Sequence, residues 1–595
     1  MSSFRSACRT GPRRVAFLSA AVVAGALVSG VGPAAAEPTS FAGQQVNWGS
    51  CAWYSPVFGG LTPECATITV PRDWRSPGDG HTLKIAISRT KATNPAQRAG
   101  VVFTNPGGPS SSGITLSWSL GSAQPKLASR YDVIGMDPRG VGGSTQLNCD
   151  IAVDPLLVAS NYDSRDMSDN AVAARTAATK AIADGCAANP LTPYVNTWQT
   201  AHDMDLIRVL LGEQKLNYVG YSYGTWLGAK YAALFPSSTG KVVLDSNTSW
   251  ADDLAGSWQL MPMAFQRRFD DQFAPWISRG LFSKYLGKTA DEVRASYEAV
   301  RATYLRYTGL PGAGANLDGL VRTWMYTDAN LFTAAVNLGA LKACIVDNQD
   351  WSQLGVTLCI FAYVNDVNAN LPTASAASTQ QVTALLQDPA GVRAGKQDVV
   401  ADAFAAARQA TGETLPLNGV FYSVRCGDGG QWHSPSWWEN YQRQFGSSFP
   451  LAGYSIPQEV CAHWTLPAQR LPNPSPRDLG PVVMVQSELD PATAYENVAR
   501  NTAQFQGARL ISVQDNGTHG LYGLRGNSCV DDLVNAYLVD GVAPAERTVC
   551  ASLPLPLETA VHPVAGPVDD RTTPRSTRAV LVDQRVSQEI EKIIS

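Results

Sequence analysis

Residues 216–236 decide the fold, and they read Leu-Asn-Tyr-Val-Gly-Tyr-Ser-Tyr-Gly-Thr-Trp-Leu-Gly-Ala-Lys-Tyr-Ala-Ala-Leu-Phe-Pro. A short apolar run around Tyr218 and Val219 passes through Gly-Tyr-Ser-Tyr-Gly into a helix-like pattern that Pro236 ends. This order predicts a strand, a sharp turn and a helix, with Ser222 at the apex of the turn. Glycines suit such a turn because a Cβ would clash where backbone packs against backbone. The strained serine would expose its Oγ, so Ser222 is the candidate nucleophile.

Two later strand ends carry the candidate partners of this serine. The apolar run Pro481–Gln486 leads into Asp490, and the run Arg509–Val513 leads into His519. A serine nucleophile needs a base, and that base needs an acid that holds it in the correct tautomer. The chain order serine, aspartate, histidine is typical of the α/β-hydrolase fold. We therefore predict that His519 is the general base and that Asp490 orients it.

Other acids and histidines remain as alternatives. Asp245 ends the strand after the elbow, where some hydrolases place the acid, and Glu488 lies two residues before Asp490. The remaining histidines lie in the helix-like run before the elbow, in tryptophan-rich segments or in loop-like sequence, and they are His202, His433, His463, His81 and His562.

The oxyanion hole should combine two backbone N–H groups. One is that of Tyr223, directly after the nucleophile. The other should come from the loop after an early strand, Thr104-Asn-Pro-Gly-Gly-Pro109, where Gly107 and Gly108 let the backbone approach a substrate oxygen. Gly108 is the preferred donor.

Strand and helix signals divide the chain into parts. The early strand candidates Ala66–Val70, Leu83–Ser88, Gly100–Thr104 and Tyr131–Met136 predict a mostly parallel sheet with helices on both faces. Strand signals then largely vanish between Asp245 and about Pro474, where runs such as Asp291–Tyr304 and Asp398–Ala410 indicate helices. We predict a signal peptide (1–36), a first core part (37–245), a helical cap (246–475), a second core part (476–564) and a C-terminal tail (565–595). In such sheets a cap would cover the site at the carboxyl ends of the strands.

The N-terminus and the cysteines indicate export. Arginines, an apolar stretch from Val15 to Val31 and the sequence Pro33-Ala-Ala-Ala36 are typical of a secretory signal peptide, with Sec and twin-arginine export both open. Removal of Cys8 with that peptide leaves ten of the eleven cysteines. Pairing sequence neighbours gives five disulfides as a hypothesis, namely Cys51 with Cys65, Cys149 with Cys186, Cys344 with Cys359, Cys426 with Cys461, and Cys529 with Cys550.

Composition excludes several kinds of partner. The net charge of −4 is scattered without a basic stripe, so we expect no nucleic-acid partner. No second apolar stretch looks long enough to span a bilayer, so we expect no membrane association after cleavage of the signal peptide. The sequence has no Cys-x-x-Cys motif, and we expect no metal and no organic cofactor. We also expect a monomer.

Several motifs together resemble the secreted tripeptidyl aminopeptidases of actinomycetes, in the prolyl aminopeptidase family of α/β-hydrolases. These motifs are Cys65-Ala-Thr-Ile-Thr-Val-Pro71, Asn105-Pro-Gly-Gly-Pro109, Asp132-Val-Ile-Gly-Met-Asp-Pro-Arg-Gly-Val-Gly-Gly-Ser144, Gly220-Tyr-Ser-Tyr-Gly-Thr225, Leu244-Asp245, Asp490-Pro491 and Thr518-His519-Gly520. The resemblance implies release of short peptides, typically tripeptides, from free N-termini. Two features depart from the family pattern: Ser110–Ser112 after the glycine loop, and the tail beyond His562.

Cleavage at free N-termini, which the resemblance implies, also requires an acidic group that binds the α-amino group of the substrate. Asp270, Asp271, Asp428 and Glu439 in the predicted cap are candidates. Two other functions stay open at this point. The same triad would serve a secreted carboxylesterase or lipase, and a hydrolase fold that has lost its activity could act as a binding protein.

Overall fold

The computed structural model describes residues 39–51, 62–251, 254–348, 350–371, 414–428 and 432–568. The predicted signal peptide, the predicted helix Asp398–Ala410 and the part of the tail from residue 569 onward lie outside the described residues.

The central sheet has ten strands within the described residues, in the order β1-β2-β3-β5-β4-β7-β8-β10-β11-β12. The seven strands from β5 to β12 in that order are parallel, whereas β1, β2 and β3 extend the sheet in antiparallel fashion. In chain order the strands are β1 (Gly49–Ser50), β2 (Glu64–Pro71), β3 (Thr82–Thr90), β4 (Gly100–Asn105), β5 (Tyr131–Met136), β6 (Asn148–Ala152), β7 (Leu216–Tyr221), β8 (Thr239–Asp245), β9 (Thr414–Asn418), β10 (Val482–Ser487), β11 (Ala508–Gln514) and β12 (Arg547–Ala551).

Helices cover the sheet and form the cap. In chain order they are α1 (Thr39–Ala42), α2 (Leu116–Ala123), α3 (Pro125–Ala128), α4 (Val153–Ser160), α5 (Asp169–Ala187), α6 (Thr197–Leu210), α7 (Tyr223–Leu234), α8 (Leu254–Arg268), α9 (Ala274–Arg279), α10 (Ser283–Leu286), α11 (Ala290–Thr308), α12 (Ala313–Trp324), α13 (Asp328–Leu341), α14 (Gln353–Asn370), α15 (Val420–Gly427), α16 (Pro435–Phe445), α17 (Tyr495–Gln504) and α18 (Ser528–Asn535).

Both faces of the sheet are buried, as predicted. Because side chains alternate along a strand, Val242 and Leu244 of β8 join the apolar cluster under α6, α7 and α17, and Val243 joins the cluster under α2 and α18. This alternation places helices on both sides, and the α/β class is confirmed.

The region between β8 and β10 is mainly helical, as expected for a cap. The predicted helix Asp291–Tyr304 lies within α11, whose N-cap Thr289 accepts a hydrogen bond from the backbone N–H of Glu292 at 3.2 Å. The cap has its own apolar core around Phe269 and Phe273. Helix α13 and the π turn after it, Asp328–Val346, are long and apolar enough to cross a membrane, contrary to the expectation from the sequence. Most of this segment is buried within the protein, because it packs in the cap core.

One strand in the cap was not predicted. Strand β9 pairs with β6 of the first core part to form a separate two-stranded antiparallel sheet. Helix α5 packs beside β6 and contacts the cap turn Val460–His463. Residues 148–187, which the sequence assigns to the core, therefore pack directly against the cap.

All five disulfides join the predicted sequence neighbours, with sulfur–sulfur distances from 1.92 to 2.11 Å. In chain order, Cys51 bonds to Cys65, Cys149 to Cys186, Cys344 to Cys359, Cys426 to Cys461, and Cys529 to Cys550. The second bond ties β6 to α5, and the third and fourth lie within the cap. Five disulfides are typical of proteins from an oxidising compartment.

The predicted tail begins with a packed segment. Val564, Ala565 and Val568 are buried, and the N–H of Val568 donates to Glu488 Oε1 at 3.0 Å. Residues 565–568 therefore belong structurally to the second core part.

Candidate active site

Ser222 lies at a strained turn between β7 and α7, as the elbow pattern predicts. Its φ of 56° falls in the left-handed region, which is costly for a residue with a side chain. The N–H of Ser222 donates to the carbonyl oxygen of Asp245 at 3.0 Å, which ties the turn to the end of neighbouring β8. Helix α7 begins directly after the serine, so its positive N-terminal end points at the site.

His519 and Asp490 form a close pair in the loops after β11 and β10. Nδ1 of His519 lies 2.9 and 3.0 Å from the two carboxylate oxygens of Asp490. The Asp490 side chain is fully buried, whereas that of His519 is 12% exposed. This geometry matches an acid that fixes the tautomer of a base and leaves the other ring nitrogen available.

The surroundings of Asp490 keep its carboxylate ionised. The backbone N–H groups of Ala492 and Thr493 each donate to Oδ1 at 2.9 Å, and the Thr493 hydroxyl donates to Oδ2 at 2.9 Å. Burial raises the pKa of Asp490, but His519 and the Thr493 hydrogen bonds outweigh burial and hold that pKa below its ordinary value. The role of Thr493 was not predicted from the sequence. An aspartate whose side chain accepts the backbone N–H groups two and three residues later forms an Asx turn, and this is the signal that could have indicated it.

The pKa of His519 is shifted in the opposite direction. Burial alone lowers the pKa of the imidazole, but the charge and hydrogen bond of Asp490 raise it, and the net pKa is above the ordinary histidine value. A base with a raised pKa accepts a proton more readily.

Asp245, the alternative candidate for the catalytic acid, accepts hydrogen bonds from backbone N–H groups instead. Its Oδ2 accepts the N–H groups of Leu521 and Tyr522 at 2.9 and 2.7 Å, and Ser246 Oγ accepts the N–H of Gly520 at 2.8 Å. These bonds bring the segment after His519 to the end of β8, where the Ser222 N–H is also bound. Burial raises the pKa of Asp245 to about 6.

The other rival residues have structural contacts. Glu488 Oε2 accepts the N–H of Asp515 at 2.7 Å. Nδ1 of His202 lies 2.8 Å from the carbonyl oxygen of Trp198, and the His433 ring stacks on Trp437.

The glycine loop after β4 lies against the nucleophile. Gly107 has a φ of 92°, and a Cβ there would lie 2.5 Å from the Tyr221 carbonyl oxygen and 2.8 Å from Ser222 Cβ. Its own N–H donates to Asn105 Oδ1 at 2.9 Å, so this group is engaged within the loop. Across the described residues no hydrogen bond uses the N–H of Gly108 or of Tyr223. Both N–H groups are therefore available as donors, and the oxyanion hole remains a prediction.

The predicted amine-binding acids have partners within the protein. Asp428 is buried, accepts the backbone N–H of Thr197 at 2.8 Å, and has its pKa raised to about 7 by burial. Glu439 accepts from Arg443 one turn along α16 at 2.8 Å. Asp270 and Asp271 lie together on the π turn Phe269–Phe273 of the cap, where Asp270 pairs with Arg294 at 3.5 Å.

The cap contributes residues at the histidine that the sequence did not reveal. The carbonyl oxygen of Tyr326 accepts the N–H of His519 at 2.8 Å, and the two rings meet edge to face with centroids 5.4 Å apart. No local pattern marks Tyr326, because its partner lies almost 200 residues away in the chain.

Comparison with known proteins identifies related families and enzymes. Residues 100–310 match the family model described as alpha/beta hydrolase fold, and residues 449–550 match the model described as TAP-like protein. The chain is 30% identical over 530 residues to the tripeptidyl aminopeptidase of Streptomyces coelicolor, with 85% of this chain and 86% of the relative covered. It is 27% identical to the serine protease Hip1 of Mycobacterium tuberculosis, with 85% and 91% covered. Identity to carboxylesterase B of Mycobacterium tuberculosis is 29% over 521 residues, with 85% and 90% covered.

The fold and the relatives together define a serine hydrolase of the α/β-hydrolase class. The similarity to the Streptomyces enzyme covers 85% of this chain. The chain belongs to the family of the tripeptidyl aminopeptidases.

Proposed function

We propose that the protein is a secreted serine peptidase that releases short peptides, principally tripeptides, from free N-termini. The observation that carries the proposal is the Asp490–His519 contact of 2.9–3.0 Å, in a loop bonded to the strand end that also holds the Ser222 turn. Membership of the tripeptidyl aminopeptidase family supports the substrate class. The five disulfides and the signal-like N-terminus support secretion.

In the proposed mechanism Ser222 Oγ attacks the scissile carbonyl carbon, and His519 Nε2 takes the hydroxyl proton. The resulting oxyanion accepts hydrogen bonds from the N–H groups of Gly108 and Tyr223. Collapse of the tetrahedral intermediate breaks the C–N bond, and His519 returns the proton to the leaving amine. Water, deprotonated by the same imidazole, then hydrolyses the acyl-enzyme and regenerates the Ser222 hydroxyl.

The role of Ser222 is tested by substitution. Ser222→Ala should lower kcat by more than about 1,000-fold, because the nucleophile is lost while binding and the oxyanion hole remain. Ser237→Ala is the matched control, since Ser237 is exposed beyond the far end of α7. Retention of more than about a thousandth of wild-type turnover by Ser222→Ala would reject the assignment.

Substrate class is tested by comparing three chromogenic substrates, namely a free tripeptide p-nitroanilide, its N-acetylated form and a p-nitrophenyl ester. An aminopeptidase should cleave the free tripeptide much faster than the blocked one. The relative named carboxylesterase B makes an esterase the second candidate. Equal rates on free and blocked peptides, or cleavage of the ester alone, would favour that candidate.

A further inference from the structure

The cap touches the histidine loop, which we define as residues 515–519, through the short turn after α12 and through Asp328, the first residue of α13. The N–H of Asp328 donates to Thr518 Oγ1 at 3.0 Å, and Asp328 Oδ2 accepts from Asn516 Nδ2 at 2.9 Å. Two residues earlier, the Tyr326 carbonyl oxygen accepts the N–H of His519 at 2.8 Å. One cap turn therefore contacts three of the five residues in the loop.

A second part of the cap reinforces this contact. Arg268, the last residue of α8, donates from Nη2 to Asp328 Oδ1 at 2.8 Å, and its side chain is fully buried. The same guanidinium lies over Gly517, where a Cβ would approach Nη1 to 1.3 Å. Gln272 on the following π turn donates to the Asp515 carbonyl oxygen at 2.9 Å. The loop can pass under Arg268 only because residue 517 has no side chain.

Asp328 connects these contacts. Its carboxylate, 16% exposed, bonds to Arg268 through one oxygen and to Asn516 through the other. Asn516 in turn accepts from Ser487 Oγ at 3.0 Å and from the Thr518 N–H at 2.8 Å, so it reaches the strand end that precedes Asp490. Removal of the Asp328 charge would leave the buried guanidinium without its carboxylate and would weaken one of the two hydrogen bonds of Asn516 Nδ2, the other being to Ser552 Oγ at 2.8 Å.

We propose that Asp328 is a positioning residue, which holds the imidazole of His519 in line with its acid by anchoring the histidine loop to the cap. This inference rests on the proposed role of His519 as the general base. It gives the cap a role in catalysis, because Tyr326, Asp328 and Gln272 of the cap all hold the histidine loop in place.

The test compares Asp328→Asn with a matched control on the same segment. Asp347→Asn is that control, since Asp347 follows the π turn after α13, pairs with Lys342 and is 56% exposed. Active sites are first counted with a fluorophosphonate that labels serine hydrolases, and kcat is then expressed per labelled site. Asp328→Asn should lower kcat per site ~10- to 100-fold with KM nearly unchanged, because a catalytic group misplaced by about 1 Å costs this much. The labelling rate should fall by the same factor.

A second variant keeps the inference testable if Asp328→Asn fails to fold. Thr518→Val removes the acceptor of the Asp328 N–H without leaving a buried charge, and it should lower kcat per site in the same manner. His519→Ala separates the two hypotheses. If His519→Ala is inactive while both Asp328→Asn and Thr518→Val retain wild-type kcat per site, the positioning role is wrong and the triad stands. If His519→Ala retains full activity, the proposed function itself fails.

Discussion

Gly107→Ala tests whether the glycine loop serves the oxyanion hole. The new Cβ would lie 2.5 Å from the Tyr221 carbonyl oxygen and 2.8 Å from Ser222 Cβ, whereas ordinary contact begins near 3.4 Å. The loop would therefore have to move by about 1 Å away from the nucleophile, a displacement of the size that costs about 100-fold in rate. Because the loop carries the Gly108 donor, we expect kcat/KM to fall ~100- to 1,000-fold, which corresponds to about 3–4 kcal/mol of transition-state stabilisation.

The same substitution also carries a folding cost that must be separated from the catalytic one. Gly107 has a φ of 92°, and a side chain in the left-handed region costs roughly 1–2 kcal/mol. Gly212→Ala is the matched control, since Gly212 has a φ of 73° with no atom within 4 Å of the new Cβ. It should lower the free energy of unfolding by a similar amount without changing kcat/KM.

Both variants are measured by urea unfolding and by kcat/KM on a tripeptide p-nitroanilide, per labelled active site. If Gly107→Ala retains more than about a tenth of wild-type kcat/KM, the assigned role of the loop is wrong, since loss of one oxyanion donor costs at least about 100-fold. An equal loss of activity in Gly212→Ala would show that strain alone, and not position, explains the effect.

Three further predictions concern the acids and a disulfide. Asp490→Asn should lower kcat about 10⁴-fold, as expected for loss of the correct histidine tautomer. The kcat of Asp245→Asn should stay within about tenfold of the wild-type value, because an amide oxygen still accepts both backbone N–H groups. If steady-state kinetics gave the larger loss for Asp245→Asn, the roles of the two acids would be exchanged. The pKa of Asp428 is raised from 3.8 to about 7, so the folded state holds this proton more tightly than the unfolded state does. As pH rises from about 4 to about 7, the wild type should therefore lose stability relative to Asp428→Asn. Urea unfolding across that range checks this, and a constant difference would contradict it. Replacing Cys529 and Cys550, 21 residues apart, by alanine should cost about 3 kcal/mol of stability, measured by thermal unfolding, with kcat unchanged well below the Tm.

The features predicted from the sequence are those that local patterns encode. The strand–turn–helix around Ser222 is a short-range signal, and the same holds for Asp490 and His519 at successive strand ends. The disulfides were predictable for a related reason, because each cysteine pairs with its neighbour in sequence. The catalytic roles of these side chains remain predictions until the variants are measured.

The features that the sequence did not reveal depend on contacts between distant segments. Strand β9 reads Thr-Leu-Pro-Leu-Asn, and its proline weakens any strand signal. It forms only because β6, more than 260 residues earlier, supplies an antiparallel partner. The bonds between Asp328 and the histidine loop span almost 190 residues in the same way. Neither contact leaves a local periodic pattern of residues from which it could be predicted in a single sequence.

The two-stranded sheet of β6 and β9 has a consequence for building chimeric enzymes. A cap exchanged between two relatives at residues 246 and 475 would carry β9 but leave its partner strand β6 behind. It would also be separated from Cys149 of β6, whose Sγ would lie 2.1 Å from any Cβ at position 419. The transplanted unit should therefore include residues 148–187, which places its boundaries before β6 and after α5 as well as at the ends of the cap. The exchangeable module of this enzyme is discontinuous in sequence, in two pieces that evolution must keep compatible.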